Sequence, residues 1–229
     1  MKIVIISDLH ANWDALSALP EKGDELWVLG DLVNYGPEPS EVVDYVLSNA
    51  SVAVRGNHDH SVGYDTDPRC TPAYAKMAEA TRRMSLRVLS PVQKRLLHDL
   101  PTSLTLEREG FHFYLCHARP TDPLYGYCPA DSDEWRDELE EVKTDVLLVG
   151  HTHTPFIRNI GKQVVVNPGS LGQPKTGSPD ACYAVWEDGR FELKSFPYPV
   201  EKTIVKIDQL DLHADLKEKL TKVVTTGSI

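Results

Sequence analysis

The chain has 229 residues, with 34 acidic against 24 basic side chains and a formal net charge of −10 at pH 7. Such an acidic chain repels polyphosphate backbones, which disfavours nonspecific nucleic-acid binding. The four cysteines have no Cys-x-x-Cys spacing, so we expect reduced thiols and neither a disulfide framework nor a zinc knuckle. The apolar start ends at Ser7-Asp8, too early for a signal or transmembrane segment, which predicts a cytoplasmic location and no membrane partner.

The first part of the chain alternates short apolar runs with helical patterns. Strands are predicted over residues 2–7, 25–29 and 51–55, and helices over 12–19 and from Pro39 onward. This alternation is typical of a parallel sheet with helices on its faces. Residues 60–100 interrupt it with two predicted helices, 73–87 and 91–99. We expect this segment to form a helical cap inserted into the fold.

Strand patterns predominate after the cap. Further strands are predicted over 103–107, 111–116, 145–149, 155–160, 163–166, 181–187, 190–197 and 203–208, and helices over 132–142 and 212–224. The turn signals Gly161-Lys162 and Asp188-Gly189 predict antiparallel pairs. The sequence therefore predicts an α/β fold, a four-layer α/β/β/α sandwich of two mixed β-sheets flanked by helices, in one domain over residues 1–229.

Five short polar segments each follow an apolar run that is typical of a buried strand. They are Asp8-Leu9-His10, Gly30-Asp31 running to Gly36, Gly56-Asn57-His58-Asp59, Cys116-His117, and Gly150-His151-Thr152-His153. Because ligands gather at the carboxyl ends of strands in open α/β sheets, we expect these segments to converge. In extended chain, Asp8 and His10 would point the same way, as would His151 and His153. The candidate metal ligands are Asp8, His10, Asp31, Asn57, His117, His151 and His153.

This donor set predicts two divalent transition-metal ions. Four imidazoles with carboxylates suit Mn, Fe, Ni, Zn or Co better than Ca or Mg, and the absence of thiolates argues against a purely structural zinc site. Two dications outweigh two aspartates and a bridging hydroxide, so the site keeps a positive charge that attracts phosphate. The sequence therefore predicts hydrolysis of a small phosphate-ester substrate by a metal-bridging hydroxide.

These segments resemble the calcineurin-like metallophosphoesterase superfamily from Asp8 to about Lys175. The runs from Val54 to Asp59, from His117 to Pro120 and from Asn167 to Ser170 are similar to its small bacterial and archaeal phosphodiesterase-like branch. The resemblance implies that Asp31 bridges the two ions. It implies one ion held by Asp8, His10, Asp31 and His153, and a second held by Asp31, Asn57, His117 and His151.

The resemblance also implies catalytic roles. His58 would contact the phosphate and protonate the leaving oxygen, and Asp59 would orient its imidazole. Tyr35 stands where Ser/Thr phosphatases and symmetrical dinucleoside tetraphosphatases carry a phosphate-gripping arginine, which weakens the case for both activities. Candidate phosphate contacts are Asn57, Arg119 and Lys175, and the last two are equally typical of ordinary surface cations.

We therefore predict a binuclear metal-dependent phosphoesterase that hydrolyses phosphodiester bonds, those of nucleotides included. A phosphomonoesterase or nucleotide phosphatase remains open. So does a noncatalytic scaffold on the same fold, similar to a retromer subunit that lacks the catalytic histidine. Because His58 and all seven ligands are intact, an enzyme is favoured. The oligomeric state stays open, with a homo-oligomer among the alternatives.

Overall fold

The computed structural model describes residues 1–228, and within that range it contains ten strands and eight helices. The strands are β1 (Lys2–Ile6), β2 (Glu25–Val28), β3 (Val52–Ala53), β4 (Ser103–Arg108), β5 (Phe111–Cys116), β6 (Val146–Leu148), β7 (Phe156–Ile160), β8 (Gln163–Asn167), β9 (Ala181–Glu187) and β10 (Arg190–Phe196). The helices are α1 (Trp13–Ser17), α2 (Pro39–Asn49), α3 (Asn57–Gly63), α4 (Pro72–Val88), α5 (Pro91–Asp99), α6 (Trp135–Val142), α7 (Val200–Gln209) and α8 (Ala214–Thr226). The single domain over 1–229 stays a prediction, and its last residue lies outside the described range.

The strands form two mixed sheets of five strands each, in the orders β10-β9-β1-β2-β3 and β4-β5-β6-β8-β7. In the first sheet β1, β2 and β3 run parallel, and in the second β5, β6 and β8 do. The remaining pairs are antiparallel. The predicted sandwich of two mixed sheets is confirmed, and its parallel centre sends several strand ends to the same edge.

Apolar side chains fill the space between the two sheets. Phe113 packs edge-on against Trp27 and Trp186, with ring centroids 5.0 and 5.6 Å away, and all three rings are fully buried. Each such burial stabilises the fold by roughly 1.5–3 kcal/mol. Outside this core, α2 covers the first sheet through Val42, while α6 covers the second through Trp135. The strand ends therefore project from a rigid scaffold.

Two segments differ from the sequence-based expectation. Residues 203–208, predicted as a strand, lie in α7, where Thr203 and Ile207 are buried one helical turn apart. Ile207 packs in one apolar cluster with Leu220 of α8 and Tyr35. This helical packing outweighs the strand preference of the β-branched residues. The predicted strand 51–55 shortens to the two residues of β3. After residues 54–56 follows α3, a helix that the sequence did not predict, which begins at Asn57.

Candidate metal centre

The structure brings all seven predicted ligands together at one edge of the sandwich. They follow the ends of β1, β2 and β3 in one sheet and of β5 and β6 in the other. Six are buried, and His151 is partly buried. Gly150 permits this close approach, because a Cβ there would collide with Ser7 and lie 2.8 Å from Oδ2 of Asp8. The small residue thus lets the end of β6 reach the end of β1.

The backbone turns sharply where it presents these ligands. Five of the seven have φ between 45° and 62°, in the left-handed region: Asp8, His10, Asp31, His151 and His153. We expected extended chain from Asp8 to His10 and from His151 to His153. That expectation is wrong, because all four residues have positive φ. Backbone hydrogen bonds hold the turns, such as the amide of His10 to the carbonyl of Asp31 at 2.9 Å. Such strain costs about 1–2 kcal/mol per residue and is concentrated at functional sites.

The first cluster consists of Asp8, His10 and His153. Nε2 of His153 lies 3.2 Å from Oδ1 of Asp8 and 3.2 Å from Nε2 of His10. The Nδ1–H of His153 donates to the carbonyl of Gln173 at 2.6 Å, so its Nε2 carries a lone pair. Within residues 1–228, Oδ1 of Asp8 has no hydrogen-bond donor. Buried acceptors thus face each other without protons between them, an arrangement that a cation stabilises.

The second cluster surrounds His117. Its Nδ1–H donates to the carbonyl of Leu29 at 2.8 Å, so in the neutral ring the lone pair is on Nε2. Three other acceptors lie 3.2 Å from that Nε2. They are Oδ2 of Asp31, Oδ1 of Asn57 and Nδ1 of His151. Since its amide group donates to the carbonyl of Pro68 at 2.8 Å, Asn57 presents its oxygen to the cluster.

The separations within both clusters fit ligands of common ions. Two donors that each lie about 2.1 Å from an ion, at roughly tetrahedral or octahedral angles, are about 3.0–3.4 Å apart. Asp31 lies between the clusters, because its Oδ2 is 3.2 Å from Nε2 of His117 and 3.8 Å from Nε2 of His10. The imidazole, carboxylate and amide donors suit transition metals. The residues therefore fit bound divalent cations.

The protonation of the clusters agrees with this role. Burial lowers the pKa of His10 well below its ordinary value and that of His151 to about 3, so both rings are neutral. Burial also lowers the pKa of His117, but Asp31 outweighs it and raises that pKa to about 9. Without a metal, a proton relieves the contact between His117 and Asp31. A bound cation takes the place of that proton.

His58 lies on α3 beside the first cluster. Its ring centroid is 5.0 Å from that of His10 and 4.8 Å from that of Tyr35. Burial lowers the pKa of His58 to about 4. Its Nδ1 is 2.9 Å from Nδ2 of Asn34, a side chain that the sequence analysis did not single out. The sequence did contain a signal for a role of Asn34 in the site, because Asn34 is a polar residue inside the segment from Gly30 to Gly36.

The expected role of Asp59 as the orienting carboxylate of His58 is wrong. Oδ2 of Asp59 accepts from the backbone amides of Asp31 at 2.8 Å and Gly56 at 3.0 Å. Its Oδ1 accepts from the amide of Leu32 at 2.8 Å. Because both oxygens are committed to the backbone, Asp59 anchors the Asp31 turn to the start of α3. Burial and the nearby Asp31 raise the pKa of Asp59 to about 7.

The candidate phosphate contacts differ in their surroundings. Arg119 forms ion pairs with Glu134, which directly precedes α6, and with Glu138 in the first turn of that helix. Lys175 has no ion-pair partner within residues 1–228, and its Nζ lies 4.7 Å from the ring centroid of Tyr74. Burial lowers the pKa of Lys175, and the charges of Asp8 and Asp31 act against that shift. Phosphate binding by either cation stays a prediction.

Tyr35 occupies a wall of the site. The side chain is 5% exposed, and its ring packs against His10 with centroids 4.9 Å apart. Its hydroxyl donates to Sγ of Cys70 at 3.3 Å, and burial raises the pKa of the phenol well above its ordinary value. Where an arginine would supply charge, this chain supplies a neutral, packed ring.

The chain belongs to the calcineurin-like phosphoesterase superfamily, whose domain model matches residues 1–188. It is 27% identical to the phosphodiesterase YfcE of Escherichia coli K12, over 82% of this chain and 88% of that protein. It is also 27% identical to protein MJ0912 of Methanocaldococcus jannaschii, over 95% of this chain and 96% of that one. The crystal structure of a metallophosphoesterase from Sphaerobacter thermophilus matches with a TM-score of 0.80 at 27% identity, covering 96% of this chain and 98% of that chain.

The family and the relative YfcE are phosphoesterases, which agrees with the enzyme class predicted from the sequence. The family also implies divalent metal ions, which the two clusters fit. No helix in the part of the chain that the structure describes combines the length and the apolar character needed to cross a membrane.

Proposed function

We propose that this chain is a binuclear metal-dependent phosphoesterase that hydrolyses phosphodiester bonds in small substrates, nucleotides among them. One observation carries the proposal. Three ligand histidines, His10, His117 and His153, place Nδ1 against a backbone carbonyl, the Asn57 amino group does the same, and their remaining donor atoms face one another and buried carboxylates. Divalent Mn, Fe, Ni or Zn suits these donors. One ion would be held by Asp8, His10, Asp31 and His153, and the other by Asp31, Asn57, His117 and His151.

Ions bound there would supply a nucleophilic water at neutral pH and a positive field for the phosphoryl group. The protein's own side chains position the reaction. Asp31 joins the two clusters and also accepts from the backbone amide of His58 at 2.9 Å, which ties the start of α3 to the metal ligands. His58 thereby presents its ring beside the clusters. Lys175 would add a positive charge on the substrate side.

The charge balance around the clusters favours a diester over a monoester. A diester carries one negative charge near neutral pH, whereas a monoester carries up to two and needs more cationic partners. Arg119 is held by two glutamates, and Tyr35 is neutral, so neither supplies a free positive charge to a second phosphate charge. The likeness to a relative named as a phosphodiesterase supports the same choice. The net charge of −10 disfavours long nucleic acids as substrates.

The test combines metal analysis with hydrolysis of two model esters. The purified chain is loaded in turn with Mn, Ni, Fe and Zn, and the rates on bis-p-nitrophenyl phosphate and p-nitrophenyl phosphate are compared. We expect two ions per chain and a diester-to-monoester rate ratio above one. A ratio below one would support a phosphomonoesterase instead. The absence of hydrolysis with every metal would support a scaffold.

A matched pair of variants isolates the contribution of His58. His58→Ala should retain both ions and lose most turnover, because the ring lies beside the clusters without being one of the assigned ligands. The control is His213→Ala, which removes an exposed imidazole at the start of α8 and should leave both quantities unchanged. Near-normal hydrolysis by a folded, metal-loaded His58→Ala variant would contradict a catalytic role for His58.

A further inference from the structure

Asn34 connects α4 to His58 through a buried chain of hydrogen bonds. The side chain of Asn34 is fully buried, and its Nδ2 lies 2.9 Å from Nδ1 of His58. On the other side, its Oδ1 accepts from Oγ of Ser85 on α4 at 3.1 Å. Asn34 itself has φ of 68°, a conformation that asparagine and aspartate adopt more readily than other side chains. The residue is therefore held firmly in place.

Ser61 determines which way the Asn34 amide faces. The hydroxyl of Ser61 donates its single proton to the backbone carbonyl of His58 at 2.7 Å. It can then only accept from Asn34, 3.4 Å away, so the atom facing it is the amino nitrogen Nδ2. The same nitrogen faces Nδ1 of His58. Since Nδ2 only donates, Nδ1 of His58 must be the acceptor.

A neutral imidazole that accepts at Nδ1 carries its proton at Nε2. Nε2 of His58 lies 3.5 Å from Sγ of Cys70, which is a weak acceptor, so this N–H remains free for a stronger one. We propose that Asn34 is a positioning residue that holds His58 as the Nε2–H tautomer, so that His58 donates a hydrogen bond to a phosphoryl oxygen of the substrate. The part that concerns substrate rests on the proposed function.

This arrangement changes the role that the resemblance implies for His58. If neutral His58 gave its Nε2 proton to the leaving oxygen, an imidazolate anion would remain in a buried site, which is costly. A second proton on Nδ1 would meet the amino group of Asn34. His58 therefore keeps its proton and stabilises charge on the phosphoryl oxygen. The leaving oxygen takes its proton from solvent water.

The tautomer is measured by ¹⁵N NMR of the histidine side chains in the full chain with zinc added and no ester present. The His58 signals are assigned by their loss in His58→Gln. We expect a protonated Nε2 and an unprotonated Nδ1 in the wild type. In Asn34→Asp, whose carboxylate accepts and which tolerates the same φ, the proton should move to Nδ1. Asn49→Asp makes the same change on the exposed end of α2 and should leave the spectrum unchanged.

A wild-type His58 with its proton at Nδ1 would overturn the proposal, and so would an Asn34→Asp spectrum identical to that of the wild type. Should Asn34→Asp fail to fold, the wild-type spectrum still decides. Neither measurement requires turnover. The tautomer is therefore tested independently of the proposed function.

The role toward substrate is tested by the dependence on the leaving group. We expect kcat of Asn34→Asp on bis-p-nitrophenyl phosphate to fall by about 10- to 100-fold, the worth of one hydrogen bond to a charged group, with KM little changed. The kcat of His58→Ala should fall by the same factor on diphenyl phosphate as on bis-p-nitrophenyl phosphate. The leaving group of diphenyl phosphate departs less readily, so the comparison is sensitive to proton transfer. A much larger loss on diphenyl phosphate would establish proton transfer and overturn the hydrogen-bonding role. A chain that hydrolyses neither diester would refute the proposed function and the substrate role with it, while the spectrum would still decide the tautomer.

Discussion

His10 and His153 face each other through their Nε2 atoms at 3.2 Å, and each ring directs its Nδ1 to a backbone carbonyl. The two carbonyls belong to Val33 and Gln173, which lie far apart in the sequence. Hydrogen bonds of this kind fix the orientation of histidine ligands before a metal arrives. The folded chain therefore holds facing lone pairs whose repulsion a cation removes.

We expect metal removal to destabilise the fold for this reason. A cation that binds only the folded state at a hundred times its Kd adds about 2.7 kcal/mol, so chelation should lower the unfolding midpoint by about 5–10 °C. Calorimetry with and without EDTA measures this shift. Mn or Zn should restore the midpoint, whereas Ca at equal ionic strength should not. An unfolding midpoint that responds to none of these ions would contradict the metal site.

Asp31→Asn should affect both metal positions, because Asp31 lies between the two clusters. We expect the metal content of the variant to fall from two ions to below one per chain. Asp8→Asn removes a carboxylate that only the first cluster uses, and it should retain one ion. Elemental analysis of both variants, purified in parallel and checked for folding by circular dichroism, distinguishes them. Equal metal loss in the two variants would argue against a bridging Asp31.

Asp59→Asn should destabilise the chain although Asp59 contacts no substrate in the proposed function. The carboxylate accepts three backbone amide hydrogen bonds, and an amide nitrogen in its place would face at least one N–H donor. We expect a loss of about 1–3 kcal/mol in the free energy of unfolding, measured by urea denaturation. Asp208→Asn, on the exposed face of α7, is the matched control. An Asp59→Asn variant as stable as the wild type would contradict the anchoring role.

The sequence predicted the sandwich and the convergence of ligands because both depend on strong local patterns. Buried strands are continuous apolar runs, and polar residues directly after them stand out. The loop conformations were not predictable in the same way. The left-handed turns at Asp8 and His10 are stabilised by carbonyls of the neighbouring segment, such as those of Gly30 and Asp31, which only the folded chain brings near.

The roles of Asn34 and Asp59 show the same limit at the level of side chains. The resemblance implied that Asp59 orients His58, but α3 directs Asp59 toward backbone amides, and His58 contacts Asn34 instead. Successive helical residues do not face each other, and α3 itself was not predicted. Likewise α7 forms because Ile207 finds apolar partners on α8, which lie outside the pattern of its own segment.

Glu21 provides a test of electrostatics away from the metal centre. Its carboxylate accepts from Lys2 at 2.6 Å and Lys194 at 3.0 Å, and these hydrogen bonds lower its pKa from 4.5 to about 2. A pKa that folding depresses stabilises the folded state above the unfolded value, and this contribution is lost as the pH falls toward 2. Glu21→Gln should therefore lower the free energy of unfolding by about 1 kcal/mol at pH 7, and its difference from the wild type should shrink below about pH 4.5.

Urea denaturation across this pH range measures the difference in the free energy of unfolding. The control is Glu218→Gln, because Glu218 is exposed and has no ion pair within residues 1–228. A difference that is independent of pH would show that packing, and not the two lysines, accounts for the effect.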